Sequence, residues 1–157
     1  MRKYMYFASQ RAWRWPAPEE IAPYFLAPKG QEWSYSGGND SWGLRAEGLY
    51  ETEALDFGKG RVDAELSMWG NAEHGVLLIY SKRGGGYGET FSSKGDLSRL
   101  HEFVRTLHDD PMPVGLYIPF REAWKAVKEF IETEGELPKS IEWVANRDLP
   151  PDTFPAP

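Results

Sequence analysis

Between Val62 and Trp69 apolar and polar residues alternate without a break. Val62, Ala64, Leu66 and Met68 lie on one side, and Asp63, Glu65, Ser67 and Trp69 on the other. A period of two predicts a half-buried strand, here with an acidic outer face. HGVLLIYSK is continuously apolar and predicts a central strand, Gly75–Tyr80, covered on both faces. RGGGYGE turns the chain back into a strand over Thr90–Ser93. After Asp96, a good N-cap, the residues Leu97, Leu100, Phe103, Val104 and Leu107 recur at helical spacing. They predict a helix over Leu97–Leu107, ended by HDDPMP, with a further strand over Val114–Ile118. Pro119 then suits a first helical position, and Phe120, Ala123, Trp124, Val127, Phe130 and Ile131 form one apolar stripe. The helix is expected over Phe120–Thr133, stopped by Gly135 and Pro138, before a closing strand, Ile141–Val144. Trp124, Phe130 and Trp143 are expected to be buried together.

The first 60 residues are less regular. KYMYFA (residues 3–8) predicts a short strand. WPAPEEIAPYFLAP predicts a short helix, with Glu19 and Glu20 in its first turn and Pro23 limiting or kinking it. EWSYS, SWGLRAE and LYETEALDF have strand texture between turns at Gly37–Gly38 and near Gly48, and DFGKGR offers a hairpin turn. No repeat and no linker divides the chain. This order predicts an α+β domain over residues 1–147, its sheet largely antiparallel and its two main helices packed on one face. Residues 148–157 hold four prolines and are expected to form an extended tail.

The chain has 157 residues, enough for one domain with a sizeable core. Seven Trp, eight Tyr and eight Phe fit either a heavy core or a protein-binding surface. The net charge of −6 argues against nucleic acid as a direct ligand. It is uneven: residues 1–30 hold five Lys or Arg against two Glu, so the acidity belongs to the rest of the chain, where it would steer a basic partner or simply keep the surface soluble. There is no Cys, which excludes disulfides and thiolate metal sites and suits a reducing cytosol. The basic start MRKYMYFASQRAW has too short an apolar run for a signal peptide, and no stretch approaches the ~18 apolar residues of a membrane span. A cytoplasmic protein is expected.

Candidate chemistry is sparse. His101 and His108 are seven apart on the predicted helix, too far for an i, i+4 metal pair, and HDD at 108–110 is better read as a helix stop. RGGGYGE lies between two strands, whereas a phosphate-cradling loop leads into a helix. Ser92 and Ser93 have no identifiable base, and the paired carboxylates Glu51/Glu53 and Asp63/Glu65 are also how an exposed sheet face is written. No enzyme, cofactor or metal is expected.

Three segments together resemble a known family: YSKRGGGYGETFSSKGD (80–96), DDPMPVGLYIPF (109–120) and AWKAVKEFIETEGELPKSIEWV (123–144). They resemble immunity protein family 1 of bacterial polymorphic toxin systems, over about residues 74–147. The resemblance implies a small cytosolic α+β protein, encoded beside a toxin and binding that toxin's catalytic domain. Partners of the family are often nucleic-acid-directed toxins, deaminases and nucleases among them. Inhibition by occlusion is then expected, with aromatic anchors for affinity and carboxylates for steering. The expected contacts are Asp63, Glu65 and an outward Trp69, with Tyr87 and Glu89 from the hairpin and Asp109 and Asp110 from the following loop. Two other readings stay open: a small enzyme or ligand-binding protein with an acidic cleft, and an effector adaptor or chaperone that does not inhibit.

Overall fold

The computed structural model describes residues 1–34 and 38–157. Among the described residues the strands are β1 (Arg2–Phe7), β2 (Gln10–Ala12), β3 (Ser41–Leu49), β4 (Val62–Asn71), β5 (Gly75–Gly84), β6 (Tyr87–Ser93), β7 (Phe103–Arg105), β8 (Pro111–Pro113), β9 (Tyr117–Ile118) and β10 (Trp143–Ala145). The two helices are α1 (Pro18–Leu26) and α2 (Phe120–Glu132). The main sheet runs β10-β6-β5-β4-β3-β1-β2, with β9 on β5, while β7 and β8 form a separate pair. Every strand pairing among the described residues is antiparallel. This is the expected α+β architecture. No helix among the described residues is long and apolar enough to cross a membrane.

Both helices lie on one face of the sheet. The alternation in β4 puts Val62, Ala64, Leu66 and Met68 in the core beneath them, joined by Val76, Leu78 and Tyr80 of β5. The stripe of α2 contributes Phe120, Ala123, Ala126, Val127 and Phe130, and Gly135 at φ +102 takes the turn out of it. Pro23 sits inside α1, which nonetheless runs nine residues and buries Ile21 and Phe25. Trp33 and Trp42 are stacked, their ring centroids 4.0 Å apart, and both are buried. The first 60 residues therefore supply a large part of the main core. Of the expected aromatic trio, Phe130 is fully buried, whereas Trp124 and Trp143 are half-buried at the edge of the core. Tyr80 links Phe130 to Trp143, and Trp124 meets Phe25.

The helix expected over Leu97–Leu107 does not form. Asp96 does cap a turn, accepting from the Ser98 amide at 3.1 Å, but that turn is a single 3₁₀ turn, Leu97–Arg99. The chain then extends into β7, where Phe103 pairs with Pro113 and Val104 with Met112. Phe, Val, Thr and His between 101 and 108 are weak helix formers, and a hairpin partner was available in PMP. Leu97, Leu100 and Val104 are covered all the same, in a second apolar cluster with Leu77, Met112, Leu116 and Tyr117 on the opposite face of the sheet. His101 and His108 consequently share no helix. Val114–Leu116 is likewise a 3₁₀ turn, with only Tyr117–Ile118 as strand. LYETEALDF is turn after Leu49, and Glu32–Trp33 of EWSYS is turn, while Tyr35, Ser36 and the Gly37 of the expected Gly37–Gly38 turn lie outside the described residues. The tail, expected to be extended, folds back: Leu149 packs on the second cluster, and buried Thr153 donates to the Pro150 carbonyl at 2.7 Å.

One glycine shows how tightly the sheet is assembled. Gly75, at φ +99, opens β5 where a Cβ would lie 2.0 Å from the Ile118 carbonyl oxygen, while Gly86, at φ +93, faces open space. Gly75→Ala is expected to cost about 3 kcal/mol or more and Gly86→Ala about 1, since both carry backbone strain but only the first adds a clash. Urea unfolding of the two variants checks the difference.

Candidate functional site

Parity along β5 places Val76, Leu78, Tyr80 and Lys82 on the helix face. Lys82 is the charged member of an apolar row and is 8% exposed. Its ammonium donates to Tyr50 Oη at 2.7 Å and Glu136 Oε2 at 3.1 Å. It also lies 5.2 Å from the ring centroid of Tyr50 and 4.9 Å from that of Tyr87, so one cation holds two aromatic faces. Tyr50 Oη donates in turn to Glu136. The two rings remain half in solvent, Tyr50 at 50% and Tyr87 at 43%.

Three local devices assemble this rim. Tyr50 and Glu51 both adopt left-handed backbone, at φ +58 and +63, where Asn-Gly would be the easy choice. The turn is braced by Thr52, whose hydroxyl donates to the Leu49 carbonyl and accepts from the Val62 amide. Gly85 and Gly86 turn β5 into β6 and bring Tyr87 opposite Gly84. Glu136 follows Gly135, whose carbonyl is held by Tyr80 Oη at 2.8 Å. Burial opposes the charge on Lys82, but its bonds to Tyr50 and Glu136 prevail and hold the ammonium above the usual lysine range. Partial burial pushes Glu136 up, yet the bonds from Tyr50 and Lys82 leave its carboxyl below the ordinary value. Burial, then the bond to Glu136, raises the Tyr50 phenol. The cluster is thus ammonium, carboxylate and neutral phenol at neutral pH. Glu51, Glu89 and Glu134 stand exposed around it, Glu89 paired across the strands with Lys82.

Only two of the seven residues expected from the sequence, Tyr87 and Glu89, share this rim. Asp63 and Glu65 lie on the opposite face of the sheet, which is mixed in charge and not acidic. Asp63 is bound by Arg61 at 3.0 Å and accepts from the Gly48 amide, while Glu65 accepts from Ser67 and pairs in register with Arg45. Trp69 is half-buried against the second apolar cluster, so it is not the exposed wedge that its outward parity suggested. Asp109 and Asp110 belong to the β7–β8 turn, with the Asp109 carbonyl accepting from Arg105. Tyr50, Lys82 and Glu136 were missed. The available signal was parity, which puts Lys82 in line with Val76, Leu78 and Tyr80.

The opposite face of β1–β4 is left open. Trp13 packs edge-on to Tyr4 at 5.0 Å, the Arg45 guanidinium covers Tyr4 at 4.9 Å, and that of Arg11 covers Tyr6 at 4.8 Å. Arg2, Arg61 and Arg83 complete the cationic set, against the carboxylates of Glu47, Asp63 and Glu65. Among the described residues no group of three or more His, Asp or Glu is placed to hold a metal ion.

The chain belongs to the Imm1 family of immunity proteins, whose family model matches residues 6–145. The match takes in the N-terminal half, beyond the stretch in which the sequence motifs show the resemblance. Membership implies a role in toxin immunity, and with it the binding of a cognate toxin. No curated protein and no solved structure matches the chain.

Proposed function

We propose that this Imm1 protein inhibits a nucleic-acid-directed toxin, a deaminase or nuclease, by laying the Tyr50–Tyr87 rim over its catalytic cleft. The observation that carries this reading is the Lys82 stack: two half-exposed tyrosines are fixed before any partner arrives, so little side-chain entropy is lost on docking. Tyrosines held in this way are the residue type that dominates binding energies. Glu51 and Glu89 around them offer the charge pattern that a basic substrate groove attracts, with Glu134 already paired to Lys3, and the rings would stand where that groove stacks bases. The protein contributes no chemistry of its own in this role; it excludes substrate.

The test is co-expression with the toxin encoded beside it, followed by capture of the toxin's catalytic domain and assay of its activity in the complex. Protection with a silenced, bound toxin supports the reading. A complex that keeps full toxin activity would replace it with the adaptor reading. Glu51 and Glu89 are exposed, so reversing both to lysine leaves the fold intact. The double variant is expected to associate about tenfold more slowly and with a weaker salt dependence, as rim charges govern on-rate. Stopped-flow association at two ionic strengths measures both quantities.

A further inference from the structure

The open face of β1–β4 carries aromatic and cationic groups that the rim does not use. Lys82 and Arg83 are neighbours in β5 and point to opposite faces, so this surface looks away from the rim. Trp13 and Phe57 are the most exposed large apolar side chains among the described residues, at 63% and 64%. Such area on a surface edged by arginine marks an interaction site. Two cations there keep capacity for a partner. Arg45 pairs with Glu47 at 3.4 Å but keeps 40% of its side chain exposed, and its buried Nε has no acceptor among the described residues. Arg83 is exposed and makes no ion pair among them.

We propose that this face is a second docking surface whose occupant is a carboxylate-rich polypeptide segment. Its acidic side chains would reach Arg45 and Arg83, and its apolar ones would cover Trp13 and Phe57. Charge complementarity selects this occupant: the face is an arginine-rich region of a chain whose net charge is −6. Single-stranded nucleic acid fits less well. The flat faces of Tyr4 and Tyr6, on which bases would stack, are already covered by Arg45 and Arg11. The proposal does not depend on the rim reading.

The full chain is titrated at low salt, with Trp fluorescence and anisotropy as readouts. The probes are a short labelled peptide of alternating Glu and Leu, its Lys and Leu counterpart, and an oligothymidylate of similar length. The acidic peptide is expected to bind and perturb Trp13. Arg83→Glu and Trp13→Ala should each weaken it about tenfold, whereas Tyr87→Ala on the rim should change nothing. Unchanged urea midpoints establish that the exposed-site variants remain folded. Failure of the acidic peptide to bind, tighter binding of the oligothymidylate, or indifference to both open-face variants overturns the proposal. Loss of binding in Tyr87→Ala alone would overturn it too, by placing the peptide on the rim.

Discussion

Trp42→Ala is expected to cost about 3–5 kcal/mol, a large part of the ~5–15 kcal/mol that holds a domain of this size together. Trp42 is 2% exposed and stacks on Trp33, with Phe7 and Tyr24 each 5.0 Å away between ring centroids. Removing it opens a cavity where β1, β3 and α1 meet, and flanking rings of this size cannot collapse into it. A second cost is polar. The indole Nε1 donates at 3.0 Å to Asp40 Oδ2, and Asp40 is 6% exposed. The truncated variant leaves that oxygen buried without its donor, although Oδ1 keeps the Ser41 amide. Trp42→Phe separates the two contributions, since it retains most of the ring contact and loses the hydrogen bond. It should cost about 1–3 kcal/mol, and urea unfolding with unchanged slope is the measurement. Trp124→Ala, which helical spacing alone ranks with the core, should cost less than Trp42→Ala, because Trp124 is half-buried at the core edge. Equal losses for Trp42 and Trp124 would show that edge burial is not the deciding quantity.

Periodicity recovered the elements whose burial is one-sided and local. The alternation in β4 and the stripe of α2 each read directly onto the helix-face core, because a strand or helix with one buried face writes its period into the sequence. Residues 97–107 failed for a physical reason. Leu97, Leu100 and Val104 are covered by a second cluster from a 3₁₀ turn and a short strand, while Phe103 and Leu107 of the same stripe are left exposed. The same cluster misled the reading of Trp69, since outward parity was equated with exposure although this end of the sheet is covered on both faces. The rim was half legible. Tyr87 and Glu89 lie beside an evident hairpin, and turns at Gly48 and Gly135 were legible beside Tyr50 and Glu136, but only tertiary structure brings these two side chains to Lys82.

Tyr87→Ala and Tyr50→Ala are each expected to weaken toxin binding by about 2 kcal/mol or more, roughly thirtyfold, mostly through faster dissociation. The Tyr87 ring is half-exposed and makes no hydrogen bond to the cluster, so its removal should leave the unfolding midpoint nearly unchanged; Tyr50→Ala also takes an acceptor from buried Lys82 and should lower the midpoint, so its binding is read on the folded fraction. Lys82→Met makes the sharper demand. Methionine fills the stem's space but offers no charge to the two rings and no donor to Tyr50 or Glu136. If Lys82 works by holding the tyrosines in place, this variant should weaken binding although the 8%-exposed lysine has little surface to offer a partner. Tyr87→Phe should bind almost as the parent does, because the Tyr87 ring rather than its hydroxyl faces the ammonium. Surface plasmon resonance against an inactivated toxin domain supplies the rates. Parent-like dissociation in both alanine variants would move the toxin off the rim. The open face, with Trp13 and Phe57, would then be the surface to vary next, and a toxin bound there would have to present carboxylates in place of a basic groove.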